Sequence, residues 1–238
     1  MPTQFGLVAL LSAASLAPFV FAVGSCFIKF SIVMVLVRNA LGLQNVPSNL
    51  VLNGVALMLS VFVMMPFVQQ TQAYLADNRI EFSDRESLER FSTEGLAGYR
   101  TYLHQHAKPS LVDYFERLER EPRQIAGDGR LAGPPHAETD AASANGTSSV
   151  AVDPETLSLF TLLPAYALSE IEDAFRIGFY LYLPFVVIDL VVSSILLALG
   201  MMMMSPVTIS IPIKLLLFVA MDGWTLLSRG LIEQYFVR

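Results

Sequence analysis

Apolar positions fall into a few long stretches divided by one long polar one, and that division predicts the architecture. Residues 179–199 carry a single charge, Asp189. At ~1.5 Å per residue a helix of that length crosses a hydrocarbon core of roughly 30 Å. The chain then turns at Gly200, runs through Met201, Met202, Met203 and Met204, and meets Ser205-Pro206 and a second proline, Pro212. Beyond Pro212, residues 213–228 would make a helical arm of about 24 Å that barely reaches across a bilayer. It carries Lys214 and Asp222. The pattern predicts a helical hairpin with Gly200 and Pro206 at its turn, packed largely against protein. Charges are expensive in lipid, so Asp189, Lys214 and Asp222 are expected to face protein or water. Lys214 and Asp222 are eight residues apart, too far for an i,i+4 pair, which points to partners on another helix or subunit. Snorkelling of Lys214 from a helix end is the alternative.

The N-terminal half repeats the theme. Residues 5–28 hold no charge and are interrupted by Pro18. No basic residue precedes Lys29, so the stretch reads as a retained helix rather than a signal peptide. Lys29 and Arg38 place the connection 29–49 in the cytoplasm by the positive-inside rule. The register Lys29, Ile32, Val33, Leu36, Val37 also allows the first helix to continue, with Gly42, Pro47 and Asn49 marking a turn. Residues 50–68 are a second uncharged run long enough to span. Near its start Asn53 and Gly54 suit helix–helix approach and hydrogen bonding.

From residue 69 to about 156 the texture changes. Residues 81–103 and 111–120 alternate charges with apolar positions, as short amphipathic helices do. Residues 126–150 are small, polar and rich in Gly and Pro, a composition expected to be disordered. Residues 160–177 read as an amphipathic, interfacial helix in which Ser169, Glu170, Glu172, Asp173 and Arg176 punctuate apolar positions. The expected organisation is thus a hairpin over 1–68, an acidic extramembrane lobe over 69–156, and an amphipathic helix plus C-terminal hairpin over 157–238. The fold class is all-α, with membrane-associated helical hairpins and a helical lobe inserted between the two halves.

Composition sharpens this reading. The chain is 54% hydrophobic and only 15% charged, against a charged share of ~25% in ordinary soluble domains. The whole net charge of −6 resides between Asp77 and Glu155, the remainder being neutral. No basic cluster suits nucleic acid, and the acidity of the lobe opposes docking on anionic lipid. The single cysteine, Cys26, excludes an intrachain disulfide and any multi-cysteine metal site. His104, His106 and His136 lack metal-site spacing, so no metal and no cofactor is expected. No phosphate loop, zinc-protease motif or nucleophile elbow occurs, and the adjacent Glu172 and Asp173 diverge on a helix. An enzyme is not expected. Lys29, Asp189, Lys214 and Asp222 could line a path or fix subunit packing. That leaves a pore or assembly component, with a small-solute carrier or channel as the alternative.

The four consecutive methionines cannot share one buried face, because a helix turns about 100° per residue. Met is unbranched and polarizable and re-packs when a gap changes shape. The run could serve as a deformable apolar plug at the hairpin tip, or as plain packing in a Met-tolerant turn.

Three segments carry a resemblance: LVRNALGLQNVPSNLVLNGVALMLSVFVMMP (36–66), LLPAYALSEIEDAFRIGFYLYLPFVVIDLVVSSILLALGMMMMSP (162–206) and ISIPIKLLLFVAMDGWTLL (209–227). They closely resemble the R-type inner-membrane component of type III secretion systems (SctR), whose flagellar counterpart is FliP. About two thirds of the chain takes part, with the acidic loop and the first stretch matching poorly. The resemblance implies an export-gate subunit of the bacterial inner membrane, multi-pass and with a periplasmic lobe. Several copies, typically five, would assemble with S- and T-type membrane proteins and other export-apparatus components into a helical funnel. Unfolded polypeptides would thread through its centre. It further implies a methionine gasket on Met201, Met202 and Met203, extended here by Met204. Lys29, Arg38, Asp189, Lys214 and Asp222 are then candidate packing or inter-subunit contacts. The absence of an evident signal peptide favours the injectisome branch over the flagellar one.

Overall fold

The computed structural model describes residues 11, 15, 18–77, 90–128, 158–201 and 203–236. Met202, the predicted lobe segment 81–89 and most of the tract expected to be disordered, 129–150, lie outside the described residues. The described residues are helical and contain no strand. The helices are α1 (Pro18–Gly24), α2 (Phe27–Ala40), α3 (Asn49–Asp77), α4 (Ala97–His106), α5 (Pro109–Asp128), α6 (Leu159–Ala198), α7 (Pro206–Ala220) and α8 (Gly223–Phe236). A short π-helical turn, Phe91–Gly95, precedes α4.

The chain forms two compact units, Met1–Asn78 with Ala167–Arg238, and Arg79–Tyr166. In the first, α2 is the core. Phe30, Val33, Met34 and Val37 recur at i, i+3, i+4 and i+7 and are fully buried. Around them pack Leu52, Ala56 and Val63 of α3, Ala174 and Phe185 of α6, Phe218 of α7, and Leu227 and Leu231 of α8. Asn53 accepts a hydrogen bond from Ser31 across the α2–α3 contact at 2.8 Å.

Three left-handed residues set the turns. After α2, Gly42 (φ 80°) closes a Schellman motif: its N–H bonds the carbonyl of Asn39 and that of Leu43 bonds Arg38. After α6 the geometry is repeated at Gly200 (φ 74°), whose N–H reaches Leu197 while Met201 reaches Leu196. After α7 it is Asp222 (φ 50°) that leaves the helix, and α7 and α8 are bent by 59° there. The break therefore falls at Met221–Asp222 and not at Pro212, which lies inside α7. One proline removes one N–H from a helix already begun, whereas a left-handed residue reverses the backbone and ends it.

Two sequence expectations change in the same way. Residues 160–177 are not a separate interfacial helix but the first part of α6, continuous through Gly178 for 40 residues. Gly178 serves packing instead: a Cβ there would lie 2.2 Å from Leu36 Cδ1. Likewise α3 does not end with the uncharged run 50–68 but continues through Pro66 to Asp77. By length and apolarity α3 and α6 can each cross a membrane. The bent pairs α1–α2 (73°) and α7–α8 raise the number to four if each is one span.

In the second unit Ala107, extended, ends α4, and Pro109 opens α5. Tyr102 and Tyr166, both buried, share a hydrogen bond between their hydroxyls at 2.7 Å, and the His106 ring lies 4.7 Å from that of Tyr102. Glu119 of α5 accepts a hydrogen bond from Thr161. Burial pushes the Tyr99 phenol up to about 12.

Candidate functional site

Cations and carboxylates distributed along the first unit converge at two places. At one, Lys29 of α2 extends its ammonium to Glu170 of α6 at 3.0 Å, with Asp173 at 3.9 Å, one turn further along. Lys29 and Glu170 are both almost wholly buried. Tyr235 of α8 completes the group: its hydroxyl donates to Glu170, and its ring lies 4.8 Å from the Lys29 nitrogen. Phe30 meets the same ring edge-on at 5.8 Å. A buried ion pair recovers its desolvation cost only with good geometry and additional hydrogen bonds, and Tyr235 supplies both a donor and a π-face.

At the other, Lys214 of α7 donates to Asp189 of α6 at 2.6 Å and to the Ala40 carbonyl, at the end of α2, at 3.3 Å. Lys214 is buried while the Asp189 side chain is 39% exposed. The Ala40 carbonyl is in the last turn of α2, where the helix dipole favours a cation. Ser210, one turn before Lys214, is also buried. The tip-side half of α7 rests on the α2–α3 turn, where a Cβ at Gly42 would meet Ile211 Cγ1 at 2.9 Å.

Arg38 is buried and holds that same turn, donating to the Pro47 carbonyl at 3.2 Å and to the Asn49 side chain. Asp222 acts through its backbone: its carbonyl accepts from Thr225 and Leu226 and so opens α8. The five charged residues singled out in the sequence thus occupy four sites, and of the five only Asp189 and Lys214 pair with one another. Glu170 and Tyr235 were not singled out. A carboxylate among SEIED reads as a polar face until α2 places Lys29 beside it. A buried triplet, Cys26 to Ser60 at 3.5 Å and Ser60 to Ser25 at 3.2 Å, also joins the α1–α2 break to α3.

The hairpin tip contrasts with these anchors. Met201, Met203 and Met204 are exposed, Met203 completely. A Cβ at Gly200 would meet nothing within 4 Å. The Schellman motif fixes Met201, the Met204 N–H reaches the Met201 carbonyl at 3.3 Å, and Pro206 opens α7. The tip is consequently shaped by its own backbone and covered by little else in the chain. Among the described residues no group of three His, Cys, Asp or Glu side chains could hold a metal ion.

Known proteins resemble this chain over nearly its full length. The FliP family model matches residues 10–231. The Surface presentation of antigens protein SpaP of Salmonella typhimurium is 55% identical, covering 99% of this chain and 98% of its own. The Yop proteins translocation protein R of Yersinia pestis is 44% identical with the same coverage. The Harpin secretion protein HrcR of Erwinia amylovora is 36% identical over 98% of this chain and 96% of its own. The likeness therefore extends through the acidic lobe, beyond the two thirds that the segment motifs carry. Family members are structural components of secretion apparatuses, and the apolar helices fit an inner-membrane protein. The all-helical first unit, its methionine hairpin and these matches together place the chain in the FliP family, the R-type components of type III secretion export apparatuses.

Proposed function

We propose that several copies of this chain, arranged as a pentamer, form with S- and T-type partners the entry pore of a type III export gate in the bacterial inner membrane. Unfolded polypeptides pass along its axis, and the second unit forms a periplasmic lobe. Met201, Met202, Met203 and Met204 supply the seal: side chains from neighbouring copies meet on the axis and exclude ions and water at rest. The observation that carries this reading is the hairpin tip, where an apolar, fully exposed Met203 stands on a loop held by backbone hydrogen bonds at Gly200, Met201 and Met204.

The energetics are consistent with a seal that opens. Burying one Met against its neighbours stabilises the closed state by roughly 1.5–3 kcal/mol. A ring of them closes firmly, yet an unbranched side chain yields to polypeptide residues of varied shape. Neither nucleotide nor metal takes part, and energy comes from partner components. Lys29, Arg38, Asp189, Lys214 and Asp222 hold the helices in register so that the tips of successive copies align.

Two experiments test the proposal. Native mass spectrometry of the chain in mild detergent, expressed with its S- and T-type partners, should give a discrete complex of several copies that contains both. A monomer or dimer indifferent to both would instead favour a small-solute carrier. Replacing Met201, Met202 and Met203 by Ala should leave that complex intact and make it leak small solutes. Unchanged permeability of the assembled complex would remove the seal from these residues.

A further inference from the structure

We infer that the Asp189–Lys214 pair, closed on the Ala40 carbonyl, is a clamp that sets the position of the methionine tip. This rests on the reading of the tip as a seal. Lys214 joins both arms of the hairpin to the end of α2, with Asp189 at 2.6 Å and Ala40 at 3.3 Å. Between Lys214 and the tip, α7 also rests on the Gly42 turn through Ile211. Above it, the arms run to a tip whose glycine meets nothing within 4 Å and whose Met203 is fully exposed.

The geometry is that of a lever. Pro206 stands eight residues above Lys214, and Ala198 nine above Asp189, so the tip projects roughly 12–15 Å beyond the clamp. A tilt of about 10° at the clamp moves the tip by about 2–3 Å, enough to open a gap between side chains meeting on an axis. Asp189 and Lys214 are positioning residues in this scheme. Their burial is unequal, with Lys214 enclosed and Asp189 half-exposed. A purely stabilising role would accordingly make loss of Asp189 far worse than loss of Lys214, because only the former strands a buried charge. A clamp is broken equally by either.

The test uses the assembled complex with its partners, in which a minority of copies carry spin labels at Met203→Cys and Leu50→Cys. Both sites are exposed, while the native Cys26 is fully buried and escapes labelling. In the parent complex the intrachain distance should be single and narrow. Lys214→Met and Asp189→Asn should each shift or broaden it by about 3 Å, to a similar extent, and raise solute leak at least fivefold with assembly intact. Lys214→Arg, which can still reach Asp189, should restore both. An unchanged distance in both single variants would overturn the clamp whatever the leak. So would failure of both variants to assemble while Lys214→Arg fails as well, which would mark the pair as a folding element. A shifted distance with no leak would leave the clamp standing and overturn the seal instead.

Discussion

Helix α2 and the methionine tip are both strongly apolar, yet the chain treats them in opposite ways. Around α2 every apolar position of the inner face is covered by other helices of the same chain, and even its cations are enclosed, Lys29 paired with Glu170 and Arg38 hydrogen-bonded to Pro47 and Asn49. At the tip Met203 is left fully exposed and the backbone alone provides order. The difference separates a folding core, which must be complete in one copy, from a surface that the chain itself leaves uncovered. The spans show the same division in milder form. Within their most apolar stretches only 28% of α3 and 17% of α6 are buried by the chain itself. Much of the apolar surface of the first unit thus awaits lipid or protein cover.

This comparison can be broken most severely at Glu170. Replacing it by Ala strands the buried Lys29 ammonium and should cost about 3–5 kcal/mol, read from thermal or denaturant unfolding of the purified chain in detergent. Replacing the pair together, Lys29→Met with Glu170→Leu, should recover most of the loss. If the double variant is no better than Glu170→Ala, the pair contributes more than the avoidance of a stranded charge.

Two glycines sharpen it next. Gly178→Ala inserts a Cβ against Leu36 and should destabilise by about 1–3 kcal/mol, a loss relieved when Leu36 is also cut to Ala. Gly54 lies in α3 with nothing within 4 Å of the added atom. Gly54→Ala should therefore stabilise by roughly 0.5–1 kcal/mol through helix propensity. Equal effects at the two positions would mean that the close approach of α2 and α6 is not what Gly178 provides.

At the tip, Met203→Ala should change the unfolding free energy of the subunit by no more than about 0.5 kcal/mol, because no packing is lost. Its effect should appear only as leak through the assembled complex. The smallest expected signal belongs to the lobe. Tyr99 is held neutral by burial up to about 12, whereas a free phenol ionises near ~10. The stability it lends is fully present below the unfolded value and declines as pH rises through the interval toward the folded one. Phenolate absorbance of the complex should include a late-titrating contribution from Tyr99, and a Tyr99→Phe variant should show that contribution reduced by one tyrosine.

Much of the first unit is readable from periodicity. The helical periodicity of α2, the length of the run in α3, and the turn at Gly200 and Pro206 follow from local preferences. The buried face of α2, however, is Phe30, Val33, Met34 and Val37 rather than the register through Ile32 and Leu36, which are only partly buried. The breaks were harder. Proline and glycine look alike as punctuation in a sequence. Pro66 and Pro212 nevertheless lie inside helices, and Gly178 is a contact, whereas Asp222, with no such mark, ends α7. Whether a residue interrupts a helix depends on what the neighbouring helix offers in return, and that is not a local quantity.

Sequence by itself determined an apolar, all-helical chain with an acidic insert, a methionine hairpin and a small set of charges that lipid would not tolerate. The reason is that transfer energies and helix periodicity act along the chain. Tertiary structure alone decided which charges meet. Lys214 finds Asp189 and the end of α2, while Lys29 finds Glu170 and Tyr235 across more than a hundred residues. A buried charge is stable only beside a specific partner at hydrogen-bond distance, and that distance exists only once the helices are packed.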